Sequence, residues 1–196
     1  QKAMAKKDFN LHKLVEYLNN NGNVVIVGDH SAAQPDEIRL FLNEVGIYPS
    51  PKNYKLMDHF NADKKGKIVL LKDRFVNERI LPVQEKFAYE GGAAALNNSP
   101  YLLPLVKAPE TSFSVSSSDL DSLISAQNTW TFGEQGFLAV AAQALNNARL
   151  VWIGSGSLLL EELLRWAIYS KNVLKLQYVQ HHRADEPQNL NRTLYR

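Results

Sequence analysis

Histidine is the side chain best suited to moving protons near neutral pH, and this 196-residue chain has five of them and no cysteine. His30 stands in Gly28-Asp29-His30-Ser31, directly after the apolar run 23–27. That is the carboxyl end of an expected strand, where open α/β sheets place ligands; an ordinary strand-to-helix loop has the same composition. His59 follows Asp58, a pairing that suits a general base or simply completes a polar turn. No serine sits in a G-x-S-x-G elbow for either imidazole to activate. His12 falls on the polar side of an amphipathic segment. His181 and His182 are consecutive, so in an extended strand their rings point to opposite faces and cannot chelate one metal. The lack of thiols removes disulfides, thiolate chemistry and cysteine metal sites. Structural or interfacial roles are therefore expected of all five histidines, with no catalytic residue, metal or cofactor.

Gly154-Ser155-Gly156-Ser157 follows a buried strand and precedes a helix, the setting of a phosphate cradle. No Lys, Thr or acidic partner follows at Walker or dinucleotide spacing, so a flexible linker, natural or engineered, explains it as well. The candidate ligand-binding residues are thus Asp29, His30, Ser155 and Gly156.

Positioning these residues requires a sheet. Leu11, Leu14, Val15 and Leu18 form one helical stripe, Ile38, Phe41, Leu42 and Val45 a second, and Leu160, Leu163, Leu164 and Ala167 a third. Asn10 suits the first helix as N-cap, Pro35 the first turn of the second, and Gly22 and Gly46 lie where helices stop. Short β-branched runs at 23–27, 67–71, 150–153 and 173–178 read as buried strands. The pair 137–142 and 150–153 reads as a hairpin through Asn146-Asn147, its second strand buried on both faces. Helices alternating with strands predict a three-layer α/β/α sandwich with a mostly parallel sheet and one antiparallel hairpin. The first helix has no strand before it, so elements preceding Gln1 and an incomplete sheet are expected. The stretch 79–115 predicts an irregular excursion with short strands, and the serine-rich 112–127 an exposed loop. Trp152 and Trp166 are assigned to the core. After Tyr178 the pattern fades, which sets a domain at 1–180 and a tail or linker at 181–196.

Bulk composition narrows the partners. Twenty-two basic against 20 acidic residues leave a formal charge of +2, scattered along the chain, which argues against nucleic acid. Lys64, Lys65 and Lys67 read as a solvated turn before a strand. No twenty-residue apolar run is present, so the segment as given carries no spanning helix. Sequons at Asn97 and Asn191 permit a lumenal location, and Pro100 makes the first a poor acceptor.

Several long blocks carry a family resemblance: IRLFLNEVGIYPSPK at 38–52, DHF at 58–60, PLVKAPETSFS at 104–114, NTWTFGEQGFLAVAAQALNNARLVWIGS at 128–155, and LLRW at 163–166 with HHR behind it. The chain resembles the wheat-germ-agglutinin-binding subunit family of the eukaryotic oligosaccharyltransferase, its fungal members above all. Two departures stand out: GSGS replaces a longer polar insertion, and the family's signal peptide, first α/β elements, β-sandwich region and membrane helix are absent. The resemblance implies a lumenal α/β domain related to class I glutamine amidotransferase-like, flavodoxin-like folds, in a full-length protein anchored in the endoplasmic reticulum membrane. It implies a non-catalytic scaffold working beside the other subunits, including the catalytic membrane subunit; the alternative is a module that binds glycan or dolichol-pyrophosphate and presents donor or acceptor. The aromatics Tyr48, Trp130, Phe132 and Tyr169 are the candidate interface anchors, although core packing accounts for each as well.

Overall fold

A computed structural model describes residues 10–32, 34–82, 84–116, 118, 125 and 127–168. Tyr169, His181, His182, Asn191, the expected strand 173–178 and the tail 181–196 lie outside the described residues. In chain order the elements are α1 (Leu11–Asn19), β1 (Val24–Val27), α2 (Asp36–Val45), β2 (Ile47–Pro49), β3 (Tyr54–Met57), β4 (Ile68–Leu71), β5 (Lys86–Tyr89), β6 (Ala94–Leu96), β7 (Leu102–Lys107), β8 (Phe113–Ser116), β9 (Thr129–Phe132), β10 (Phe137–Gln143), β11 (Arg149–Ile153) and α3 (Glu161–Ala167).

Local chemistry explains the boundaries. Asn10 caps α1, its side-chain oxygen accepting the Lys13 N–H at 2.9 Å. The left-handed residue after α1 is Asn21, at φ 64°, rather than Gly22. Pro35 stands at the cap of α2, just ahead of its first turn, and Gly46 closes that helix at φ 94°. In α3 the buried face is Leu163, Trp166 and Ala167, so the stripe is rotated and Leu164 points outward.

Strands β10 and β11 form the expected hairpin, Val140 opposite Trp152 and Ala142 opposite Leu150, with Asn147 at φ 65° in the turn. Strand β1 lies parallel to β11, Val24 beside Leu150 and Val27 beside Ile153. Strand β7 runs antiparallel along β10, while β6 joins β10 at Phe137 and leads to β2. A second, antiparallel sheet is β3-β8-β9, and β4 pairs with β5.

The expectation of a mostly parallel sheet is corrected here: among the described strands, parallel pairing is confined to β1 with β11. A parallel neighbour needs a long crossover, whereas the link between β10 and β11 is too short for anything but reversal, and β6 and β7 both run against β10. The loop expected at 112–127 also gives way at its start, where Phe113–Ser116 is a fully buried strand. Cross-strand pairing with β3 and β9 outweighs the turn preference of its serines.

The central sheet is covered on both faces. On one side Ile26, Val140, Leu150 and Trp152 pack with Leu14, Phe41 and Leu42 of α1 and α2. On the other, Ala139, Ala141, Val151 and Ile153 meet Leu163 and Trp166 of α3, Ile68 and Leu70 of β4, and the segment from Phe75 to Leu81. That second cover mixes a helix, a hairpin and a loop instead of forming a helical layer. Both assigned tryptophans are 2% exposed.

At the carboxyl ends of β1 and β11 three backbone stretches cross at van der Waals contact. Gly28 N–H donates to Ile153 at 2.7 Å, Gly92 N–H to Gly154 at 3.2 Å, and the Tyr89 hydroxyl to Gly92 at 2.5 Å. A β-carbon on Gly154 would collide with the Gly92 carbonyl, whereas one on Gly156 would come no nearer than 3.9 Å to any neighbour. Gly154→Ala is expected to cost about 2–3 kcal/mol through forced overpacking, and Gly156→Ala to be close to neutral. Urea midpoints at unchanged m-value measure both.

Candidate functional site

Two cavities flank the glycine crossing. The wider, about 420 Å³, is lined by Asp29, His30, Lys67, Glu90, Ser155, Gly156 and Ser157 among others. The four residues singled out in the sequence therefore share one cavity, at the carboxyl ends of β1 and β11. The narrower, about 20 Å³, shares Gly28, Asp29, His30 and Gly154 with it and adds Gln34, Ser50 and Trp152.

Asp29 is held by its own loop: Oδ1 accepts from the Ser31 N–H at 2.9 Å and the Ser31 hydroxyl at 2.8 Å. Those two bonds hold its pKa below the usual carboxylate range, with a small further pull from His30. Nδ1 of His30 lies 3.8 Å from the same oxygen. Glu90 accepts from Lys55 Nζ at 2.8 Å and has Lys67 at 3.9 Å, and the bond to Lys55 leads the downward shift of its pKa. Both carboxylates are thus anionic at neutral pH, Glu90 beside two lysines and Asp29 beside His30. The Ser31 hydroxyl donates to Asp29, so nothing arranges His30 as its base.

The glycine-serine turn is ordered. Ser155 Oγ lies 3.0 Å from Ser157 Oγ and caps the short 3₁₀ turn Gly156–Leu158, and Leu158 is anchored in the core. The basic trio also reads as expected: Asp63 Oδ1 accepts from Lys65 and Lys67 N–H, each at 2.8 Å, in a turn closed by Gly66 at φ 74°.

The other histidine pair resolves as a polar turn. Asp58 is 3% exposed and accepts from Phe60 N–H at 2.8 Å, Asn61 N–H at 3.0 Å, the Asn61 amide at 2.9 Å and the Thr111 hydroxyl at 2.8 Å. His59 points out, its ring 5.3 Å from that of Phe113. His12 is exposed on α1 as expected.

Of the candidate interface aromatics, Trp130 and Phe132 project together from β9, 39% and 41% exposed. The Trp130 indole donates to the Tyr48 carbonyl at 3.0 Å, which brings β9 against β2 at that point. Asn97 is exposed, its side chain lying against Gly46, at the edge of a groove of about 630 Å³ between the ends of α1, α2 and the β10–β11 turn. Among the described residues there is no cluster of three or more metal-ligating side chains and no helix long and apolar enough to cross a membrane.

Sequence reasoning missed Gln34, Tyr89, Gly91 and Gly92. The Gly-Gly pair after a tyrosine was a visible signal of close backbone approach, but nothing local says which strand it approaches.

These features define an α/β domain with mixed sheets and a strand-end crevice. Its fold is similar to that of the solved mmIFT52 N-terminal domain, with a TM-score of 0.51 at 15% identity, covering 82% of this chain and 65% of that one. The sequence matches the family model described as OST48, N-terminal domain, over residues 1–191, and the chain belongs to that family. It is 37% identical over 187 residues to the WBP1 subunit of dolichyl-diphosphooligosaccharide–protein glycosyltransferase from Saccharomyces cerevisiae, covering 88% of this chain and 41% of that protein. To the 48 kDa subunit of the same enzyme from Drosophila melanogaster it is 24% identical over 224 residues, covering 91% and 47%. The chain therefore spans less than half the length of these two relatives.

Asp58 yields a pH prediction. Burial, the largest single influence, pushes its pKa up, but the bonds from Asn61, Phe60 and Thr111 together hold it below its ordinary value. With the folded pKa lowered, its stabilisation is complete above the unfolded pKa and drains away as pH falls through the folded one. Asp58→Asn is expected to lose about 2 kcal/mol at pH 7, and the gap from the parent should narrow below about pH 4. Urea titrations at pH 7 and pH 3 check this.

Proposed function

We propose that this domain is a non-catalytic scaffold of the oligosaccharyltransferase, on the lumenal side of the endoplasmic reticulum membrane, within a longer membrane-anchored protein. Membership of the OST48 N-terminal family carries the reading, since both relatives are named as subunits of that glycosyltransferase. Its partners would be the other subunits, the catalytic membrane subunit among them. The absence of any cysteine supports a non-catalytic part, because an amidotransferase-like nucleophile is missing from the whole chain. The two-faced central sheet is consistent with descent from a three-layer, amidotransferase-like sandwich that kept its core and lost its chemistry.

Support for a docking role comes from Trp130 and Phe132, side by side on β9 and far more exposed than the buried Thr131 between them. Large aromatics left in water at one strand are favoured anchors for a protein partner. Replacing both with Ala in the full-length protein should leave the fold intact and reduce co-purification of the other subunits at least severalfold. Undiminished co-purification would remove this surface from the interface, and normal assembly of the complex without residues 10–168 would remove the scaffold role itself.

A further inference from the structure

The groove of about 630 Å³ between the ends of α1, α2 and the β10–β11 turn carries charge of one sign. Leu18 and Asn19 from the end of α1, and Glu44 and Val45 from the end of α2, line it. A helix is partially negative at its carboxyl end, so two negative poles meet at one rim. Neither helix has a basic residue in its last turn, and no lysine, arginine or histidine lines the groove. Glu44 adds a full charge of the same sign, exposed and without an ion pair among the described residues. At that end of a helix a carboxylate costs stability, and nothing in the described fold offsets it.

Between these groups the walls are apolar. Val45, Ala142 and Leu150 are joined by Tyr101 and Leu145, which are left 47% and 86% exposed. Leu145 is not there through slack backbone. Its turn is closed by Asn147 at φ 65°, the Ala148 N–H donates to Asn146 Oδ1 at 3.1 Å, and the Asn146 amide donates to the Leu18 and Asn19 carbonyls at 2.8 and 2.9 Å. A leucine held in water by a fixed turn is pre-organised for a partner, because little freedom is lost on binding. Asn19, Asn97 and Ser99 bring amides and a hydroxyl to the same groove. A peptide backbone can satisfy such groups, whereas a hydrocarbon chain would leave them dry.

The geometry points to a docking site for a basic, apolar segment of another protein: a lysine or arginine over Glu44 and the two helix ends, with a neighbouring large apolar side chain against Leu145 and Tyr101. An acidic segment would be repelled there. No residue of β9 lines the groove, so the surface of Trp130 and Phe132, and the scaffold reading with it, are decided by their own co-purification test.

The experiment places the photoreactive residue benzoylphenylalanine at position 145 of the full-length protein in its assembled complex, and the crosslinked peptide is sequenced. The expected product is a peptide from a different polypeptide with a lysine or arginine close to a large apolar residue. Glu44→Lys should cut the crosslink yield about tenfold, and changing the captured cation to Glu should restore it, since the pair has only been exchanged. The melting temperature of Glu44→Lys should hold or rise, because a base replaces an acid at the negative end of α2; the lost yield is then not unfolding. A synthetic peptide of the captured sequence should bind the 196-residue chain, and Leu145→Asp should weaken it about tenfold or more. No crosslink, a crosslink to lipid, to a second copy or to the same polypeptide, a captured segment without a cation, or a yield unmoved by Glu44→Lys would each overturn the proposal.

Discussion

Everything in this domain is arranged around a strand that has no solvent side. All five residues of β11, from Arg149 to Ile153, are buried, so both its edges need ladder partners and both its faces need apolar cover. The chain provides β1 on one edge and β10 on the other, helices α1 and α2 over one face, and α3 with the β4–β5 hairpin over the opposite one. Its single charged residue is accommodated in place. The Arg149 guanidinium lies 4.6 Å above the Trp166 ring and donates to that residue's carbonyl, while its backbone N–H reaches the Asn23 side chain at 2.9 Å.

The strand-end crevice is a product of the same arrangement. A parallel pair with two-sided cover brings two carboxyl ends to one rim, and the loops leaving them must diverge. Here they diverge beneath a third backbone stretch, Gly91-Gly92, fixed by the Tyr89 hydroxyl. Burial pushes the Tyr89 phenol upward in pKa, so it remains a donor at any pH the protein meets. Rigid backbone at the rim and charged side chains just outside it give a site with a fixed floor and an adjustable mouth.

Much of this was legible in the residues. The three helical stripes, the Asn146-Asn147 hairpin and the convergence of Asp29, His30, Ser155 and Gly156 follow from periodicity and from the tendency of strand ends to gather. What periodicity could not supply was pairing. Short runs such as 54–57, 94–96 and 113–116 have no distinctive local signal, because their stability comes from partners far along the chain. That is also why the sheet was expected to be parallel: counting helices between strands says nothing about strands joined by brief reversals. Gln34 and the Trp152 indole, whose buried polar atoms meet no partner among the described residues, escaped for a different reason. An unmet hydrogen bond is a property of three-dimensional surroundings, and a composition rich in ordinary polar residues gives no hint of it.

Helix α1 is too short to persist by itself in water, and its final carbonyls, those of Leu18 and Asn19, are taken up by the Asn146 side chain at 2.8 and 2.9 Å. The two partners are separated by more than 120 residues of chain. The end of α1 is therefore fixed by the β10–β11 turn, as its start is fixed by α2, where the Leu11 N–H donates to Glu37 at 2.9 Å. Opening of the β10–β11 turn would thus also release the last turn of α1, coupling two segments far apart along the chain.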